Sequence, residues 1–240
     1  MKRWSLICVS VLAVCGCSQN GIPVDTNSSL LDINDWSEVH AAFAHRPGIN
    51  FKQTWQESPS PNFAGGTVKM LWERDGLVVH AFLNDVDIVS SNRTFNAPFF
   101  TTDDVFEVFL RPEGQQAYFE IHVGAQNQKM QLKIDDSKSF YERRNTWPPV
   151  EELIAPYKVE SPVLESNTRM VDAQDAWEVV LRIPYAFLSD EVEVESGTPL
   201  YGSFCRYDYT TGEKEPMYSS TSTLEKLDFH RQEYWDVFLP

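Results

Sequence analysis

The stretch VKMLWERDGLVVHAF, residues 68–82, decides the fold of this 240-residue chain. Large apolar residues stand at the alternate positions 68, 70 and 72, and Arg74-Asp75-Gly76 then interrupts the pattern with turn-forming residues. An apolar run over residues 77–82 follows this turn. Alternation with a period of two on both sides of a short turn containing glycine predicts a β-hairpin.

Similar short segments recur along the rest of the chain, separated by turn-forming residues. They cover residues 104–110 (DVFEVFL), 116–123, 129–134, 177–183, 200–209 and 234–239. Helical patterns are few: residues 36–44, with Asp35 as the cap, and a turn at residues 185–188. Many short strands with little helix predict a single all-β domain over residues 34–240. We expect a mostly antiparallel, jelly-roll-like β-sandwich.

The N-terminus has the layout of a bacterial export signal. Two positive residues precede an apolar run at residues 6–15, which is too short to span a bilayer as a mature helix. The following Gly16-Cys17 resembles a lipobox, which predicts a signal peptide over residues 1–16, a lipid on Cys17 and a polar tether over residues 17–33. Ser18 is not the aspartate of inner-membrane lipoproteins, so we expect a secreted protein anchored to the outer membrane of the cell envelope. The alternative is an ordinary signal peptide cut elsewhere.

Cysteine content and charge restrict the chemistry of the folded part. After removal of the signal and lipidation of Cys17, only Cys205 remains, so no internal disulfide can form. We expect Cys205 to be a buried, inert thiol. The formal net charge of −15 disfavours nucleic acid as a partner and leaves neutral sugars and divalent cations open.

Five segments in order resemble one known family. They are residues 71–88, 102–123, 177–188, 202–209 and 228–239. In this order they are similar to the family 9 carbohydrate-binding modules and the related lipoproteins. The resemblance implies a non-catalytic β-sandwich that binds the ends of glucan or xylan chains, with a sugar ring held between two aromatic side chains.

The resemblance also implies a set of ligand-binding residues. The two aromatic positions correspond to Phe229 and to either Phe99 or Phe100, where the family has tryptophan. Glu107 falls on the ligand-facing glutamate of the family, and its neighbours fall where the sugar-binding members carry arginine and asparagine. Those neighbours are Glu120 and His122. An aromatic ring suits the apolar C–H face of a pyranose, and polar groups suit its hydroxyls.

Further candidates follow from the residues themselves. Arg206 and Asp208 share a face of one predicted strand and form either an ion pair lining the pocket or a surface pair that aids solubility. His230, in the loop before the last strand, donates either to a ligand or to the backbone. Trp147, between turn-forming residues, is either an exposed platform for a sugar or part of the core.

A calcium site is the one cofactor that the resemblance suggests. Asp103 and Asp104 lie in the loop near which the family often binds calcium. The alternative is that both carboxylates are solvated or cap the loop, because paired acids in loops are more often of that kind.

Two other functional classes stay open beside carbohydrate binding. Glu107 and Glu120 are candidates for the paired carboxylates of glycoside hydrolysis. Met130 and His122 face each other across a predicted hairpin and are candidates for axial ligands of haem b in an electron-transfer domain. We favour binding without catalysis: a protein that captures neutral oligo- or polysaccharides for degradation by other envelope proteins in carbohydrate catabolism.

Overall fold

The structure is a computed structural model that describes residues 30–240. The predicted signal peptide, the predicted lipidation site Cys17 and most of the predicted tether lie outside the described residues. Within residues 30–240, no helix is long and apolar enough to cross a membrane.

Short strands make up most of the regular secondary structure of the described chain. In chain order they are β1 (Ile49–Asn50), β2 (Gly66–Trp72), β3 (Gly76–Asn84), β4 (Val105–Pro112), β5 (Tyr118–Gly124), β6 (Lys129–Ile134), β7 (Ser166–Val171), β8 (Ala176–Pro184), β9 (Leu200–Asp208), β10 (Met217–Ser220) and β11 (Asp236–Phe238). The α-helices are α1 (Trp36–Phe43), α2 (Ser137–Arg144), α3 (Val150–Ile154) and α4 (Tyr185–Leu188).

Two antiparallel sheets pack face to face. The first sheet, sheet A, has the strand order β1-β2-β3-β8-β7, and the second, sheet B, has the order β10-β9-β4-β5-β6, with β11 paired to β9. The predicted all-β, mostly antiparallel sandwich with few short helices is therefore confirmed. The main core fills the space between the sheets and contains Trp72, Phe106, Trp177 and Phe204, all fully buried.

The hairpin predicted from residues 68–82 is formed by β2 and β3. Trp72 pairs with Leu77 at its closed end. Gly76 fits there because a Cβ at this position would lie 2.7 Å from the carbonyl oxygen of Ile183, too close for any side chain. The turn thus presses against β8, which pairs with the whole length of β3.

Helix α1 covers the outer face of sheet A. The Asp35 side chain accepts hydrogen bonds from the backbone N–H groups of Ser37 and Glu38, as expected for an N-terminal cap. The helix buries Val39 and Phe43 against the sheet, in a small apolar cluster separate from the main core. The predicted helix and its cap are both confirmed.

The outer face of sheet B is covered by a different layer. Helices α2 and α3 and the segment over residues 224–235 lie on it, and Phe140, Ile154 and Trp235 pack there against outward-facing residues of the sheet. Residues that alternation assigns to the outer face, such as Phe109, are consequently buried. The alternating residues of sheet B therefore contribute to two apolar layers, one between the sheets and one under the covering helices. The candidate site lies in the second layer.

Candidate functional site

A cavity of about 320 Å³ lies between sheet B and its covering layer. Its floor comes from strands β4, β5 and β9, and its walls come from α2, α3 and the segment over residues 227–230. Small-molecule sites commonly enclose about 300–1,000 Å³, so the cavity is large enough for a small ligand or one unit of a longer one.

Aromatic rings form much of the cavity wall. Phe100 and Phe229, the two predicted stacking residues, both line it, and Tyr207 stands between them. The Tyr207 ring centroid lies 5.8 Å from that of Phe100 and 5.9 Å from that of Phe229, with edge-to-face geometry in both pairs. Of the two alternatives at positions 99 and 100, Phe99 is buried in the outer cluster and is not among the lining residues, so Phe100 is the one that faces the cavity.

Two carboxyl groups occupy the floor, and a buried imidazole that does not itself line the cavity contacts both of them. Glu107 on β4 pairs directly with His122 on β5, and Glu120 lies two residues from His122, so alternation brings all three side chains to the same face. His122 Nε2 lies 2.6 Å from Glu120 Oε1 and 3.2 Å from Glu107 Oε1. The histidine thus links the two glutamates, and all three are buried.

The second oxygen of each glutamate has no partner. Glu107 Oε2 and Glu120 Oε2 are buried, and neither forms a hydrogen bond within the described part of the chain. Leaving a buried polar atom unpaired costs roughly 1–3 kcal/mol, and more for a charged one. Since both residues line the cavity, a ligand that donates hydrogen bonds would satisfy these oxygens.

The two glutamates have opposite pKa shifts. Burial, followed by repulsion from Glu120, raises the pKa of Glu107 well above its ordinary value. Burial also acts to raise the pKa of Glu120, but His230 and the hydrogen bond from His122 outweigh it and lower this pKa. The raised pKa favours the protonated form of Glu107, which can donate as well as accept, whereas the lowered pKa of Glu120 favours an ionised acceptor.

His230 lies at the edge of this group. Its Nδ1 atom is 2.9 Å from the Tyr118 hydroxyl and 3.8 Å from Glu120 Oε2, and its ring packs against Phe140 at a centroid distance of 4.3 Å. Burial lowers the pKa of His230, although the Glu120 carboxylate acts to raise it. The hydrogen bond of the His230 ring is to a side chain and not to the backbone. His230 lines the cavity, and its predicted contact with a ligand stays a prediction.

A salt bridge that the sequence did not reveal closes one side of the cavity. Arg144, at the end of α2, lies 2.9 Å from Asp228, and the Tyr141 hydroxyl donates to the same carboxylate. Both Arg144 and Asp228 line the cavity. They are 84 residues apart in the chain, and nothing in the local pattern of either segment indicates their contact.

Arg206 and Asp208 do not line the cavity. Arg206 is 1 % exposed and faces the space between the sheets, where it binds Asp85 at 3.0 Å and Asp208 at 3.2 Å. It also donates to the carbonyl oxygens of Gly65 and Asn84. The predicted ion pair exists, but it does not line the cavity, because Tyr207 between them occupies the outward position on β9.

The acidic pair at 103 and 104 anchors a loop. Both oxygens of Asp103 accept hydrogen bonds, among them those from the backbone N–H groups of Ser91 and Asn92. This arrangement is the capping role, and Asp103 does not fit a calcium ligand. Asp104 accepts from two backbone N–H groups and lies near Asp85 and Asp208, where the Arg206 guanidinium already supplies a positive charge.

Trp147 is fully outside the core. It is 89 % exposed and has the left-handed backbone conformation, with a φ of 54°, that few non-glycine residues adopt. Arg144 and Val150, on either side of it in the chain, both line the cavity. The structure thus excludes burial of this ring and places an exposed indole on the loop beside the cavity.

The cross-strand neighbours proposed for haem are also present. His122 pairs with Met130 on β6, and both are fully buried. His122 Nε2 is engaged by the two glutamates, so this nitrogen already has partners. The other ring nitrogen, Nδ1, is buried and forms no hydrogen bond to a described residue, so haem ligation stays a prediction.

Comparison with known proteins agrees with the fold. No protein-family model matches the sequence, and no curated protein matches it. Among solved structures, one similar protein comes from Bacteroides uniformis, and its description as carbohydrate-binding is itself an inference. The two structures superpose with a TM-score of 0.60 at 14 % sequence identity, and the match covers 85 % of this chain and 89 % of the other.

Two further structures are family 9 carbohydrate-binding modules from Caldicellulosiruptor kristjanssonii. The complex with cellotriose has a TM-score of 0.58 and 13 % identity, covering 90 % of this chain and 91 % of its own. The complex with glucose has a TM-score of 0.56 and 13 % identity, covering 90 % and 93 %. The fold implied by the resemblance in the sequence is therefore confirmed.

Proposed function

We propose that this protein binds neutral saccharides in the cavity on sheet B, without catalysis. The observation that carries the proposal is the combination of an aromatic wall with two unpaired carboxyl oxygens on the floor. A pyranose offers the matching chemistry, because its C–H face packs on aromatic rings and its hydroxyls donate hydrogen bonds.

The charge of the floor supports a neutral ligand over an acidic one. Glu120 is ionised, and the Arg144 charge is neutralised by Asp228, so the lining residues that the structure describes include no unpaired Lys or Arg to bind a uronate carboxylate. The net charge of −15 on the chain acts in the same direction. The modules from Caldicellulosiruptor kristjanssonii with bound cellotriose and glucose support the same ligand class.

We further propose the cellular setting predicted from the N-terminus. A lipid on Cys17 would anchor the domain to the outer membrane, where it would hold glycans for degradation by neighbouring envelope proteins. Replacement of Cys17 by serine, with fractionation of the cells, tests the anchor: the variant protein should leave the membrane fraction.

Calorimetric titration with neutral oligosaccharides tests the binding proposal. Cello-, xylo- and manno-oligosaccharides should include at least one ligand with 1:1 stoichiometry, and oligogalacturonate serves as the acidic control of similar shape. Absence of heat with every neutral sugar, or stronger binding of the uronate, would contradict the proposal.

One observation favours glycoside hydrolysis as a second candidate. The pKa values of Glu107 and Glu120 are shifted in opposite directions, as in an acid and base pair, and their nearer oxygens lie within 4.8 Å of each other. Retaining glycosidases place their two carboxyl groups about 5–5.5 Å apart. Incubation of the protein with the sugar that binds, followed by a reducing-end assay, separates the two functions, since a binding protein releases no product.

A further inference from the structure

A second cluster of side chains suited to metal binding lies on the opposite sheet. His40 extends from α1, His80 from β3 and Glu178 from β8, all on the outer face of sheet A. His80 pairs with Val180 on the neighbouring strand, so Glu178 is two residues further along and on the same face. Helix and sheet packing thus bring two imidazoles and one carboxylate together from three separate elements.

The distances within this cluster suit one small cation. His40 Nε2 lies 3.0 Å from Glu178 Oε2, and His80 Nε2 lies 3.9 Å from Glu178 Oε1. Three potential ligand atoms, one from each residue, lie within 4.8 Å of one another. Ligand atoms placed about 2.0–2.1 Å from a tetrahedral zinc ion are about 3.3 Å apart. This spacing is close to the 3.0 Å between His40 Nε2 and Glu178 Oε2 and is smaller than the 4.8 Å that encloses all three ligand atoms.

An unpaired nitrogen of His80 points to a ligand independently of these distances. His80 is 8 % exposed, and its Nε2 atom is buried without a hydrogen bond to any described residue. The surrounding rings of Trp36 and Phe43 offer it no acceptor. In the tautomer that carries its proton on Nδ1, this buried nitrogen presents a lone pair 3.9 Å from a carboxylate oxygen, which is the chemistry of a metal ligand.

We propose that His40, His80 and Glu178 bind a zinc ion, with the fourth position open to water. Two histidines and one glutamate are a ligand set that zinc commonly adopts in proteins. The site lies on the sheet opposite to the sugar cavity, and the zinc proposal does not depend on the proposed sugar binding.

The positive side chains around the cluster determine how tightly it would bind. Arg169 donates to Glu178 through Nε at 2.8 Å, lies 3.0 Å from His40 Nε2 and stacks on Trp36. Its side chain is 36 % exposed, so the guanidinium has room to move into solvent when an ion enters. Lys69, the other nearby cation, donates instead to the carbonyl oxygen of Phe43. Arg169 therefore competes with the ion and weakens its binding.

Titration with zinc chloride, on tag-free protein freed of metal with a chelator, tests the site. Calorimetry should give one equivalent of zinc, and cobalt(II) should give the visible absorption of a tetrahedral N/O site. His40→Ala should weaken zinc binding at least about 10- to 100-fold, the loss seen when even an outer partner of a ligand is removed. Arg169→Gln should strengthen binding.

His45→Ala is the matched control, because His45 is exposed just beyond α1 and lies outside the cluster. It should leave the zinc affinity unchanged. Glu178→Gln and His80→Gln, checked for folding by circular dichroism, should each lower the affinity. The proposal is overturned if zinc does not bind, if binding survives His40→Ala and Glu178→Gln, or if His122→Gln beside the sugar cavity is the substitution that removes it.

Discussion

Replacement of Phe100 by alanine tests the aromatic wall of the sugar cavity. The Phe100 ring lines the cavity and is only partly buried, with its centroid 5.3 Å from that of His122 and 5.8 Å from that of Tyr207. Removing the ring deletes a surface on which a pyranose would lie. Loss of a comparable stacking contact, between an aromatic side chain and a nucleic-acid base, costs about 1–3 kcal/mol.

This range predicts a measurable change in affinity. At about 1.4 kcal/mol for each tenfold change, Phe100→Ala should raise the Kd for a neutral oligosaccharide about 5- to 150-fold. Phe229→Ala should act in the same direction, but this ring is 6 % exposed and packs on Trp55, Phe109 and Tyr218. Truncating so buried a phenylalanine costs about 3–5 kcal/mol of folding free energy, which makes Phe100 the cleaner site.

Isothermal titration calorimetry with the tightest-binding neutral sugar is the assay. Phe95→Ala is the matched control, since Phe95 is a half-buried phenylalanine in the same loop that does not line the cavity. The control should bind like the unchanged protein. A Kd for Phe100→Ala within twofold of the control would refute the aromatic stacking on which the proposal depends.

Three further outcomes are expected. Glu107→Gln should make the stability of the protein depend less on pH. The pKa of Glu107 is raised in the folded state, so its contribution to stability is complete below its ordinary pKa of 4.5 and is lost as the pH rises. Urea unfolding of the variant should therefore change less with pH above 4.5 than that of the unchanged protein. An identical slope in both proteins would contradict the shift. Trp147→Ala should weaken binding of long oligosaccharides and leave monosaccharide binding unchanged, because the exposed indole lies beside the cavity and not in it; equal losses for both ligands would exclude the outer position. Arg206→Met should destabilise the fold by about 3–5 kcal/mol, since it leaves Asp85 and Asp208 buried without their cation, while sugar affinity of the folded fraction stays the same. A loss of sugar affinity without a loss of stability would return Arg206 to the binding site.

The polar residues of the site were predictable from two signals together. The resemblance identified Glu107, Glu120 and His122, and the period of two along β4 and β5 places the members of each strand on one face. The stacking residues were predictable only through the resemblance, which left Phe99 and Phe100 as alternatives. The 3-10 turn at Phe99–Thr101 decides between them, and its geometry has no signature in the sequence.

The assignment of Arg206 and Asp208 to the cavity was wrong because β9 has aromatic residues on both faces. Phe204 faces the core, whereas Tyr207 faces the cavity, so hydrophobicity does not indicate which positions point inward. An arginine that is 1 % exposed is rare, and it is tolerated here only because Asp85, Asp208 and two carbonyl oxygens surround it. Asp85 lies 121 residues away, a contact that no local pattern reveals.

The two helices of the covering layer were not predicted. Helix α2 has the sequence SKSFYERR, in which Phe140 is the one buried residue, so the segment has little apolar periodicity. Its place is determined by tertiary contacts, among them the Arg144–Asp228 salt bridge. Edge strands β1, β7 and β10 were missed for related reasons, since they are short or half-exposed and bury few side chains.

A crystal structure with a neutral oligosaccharide bound is the most direct test of the central claim. We expect a sugar ring inside the cavity on sheet B, against Phe100 and Phe229, with hydroxyl groups within hydrogen-bond distance of Glu107 Oε2 and Glu120 Oε2. A sugar bound at another surface, with the cavity unchanged, would contradict the account.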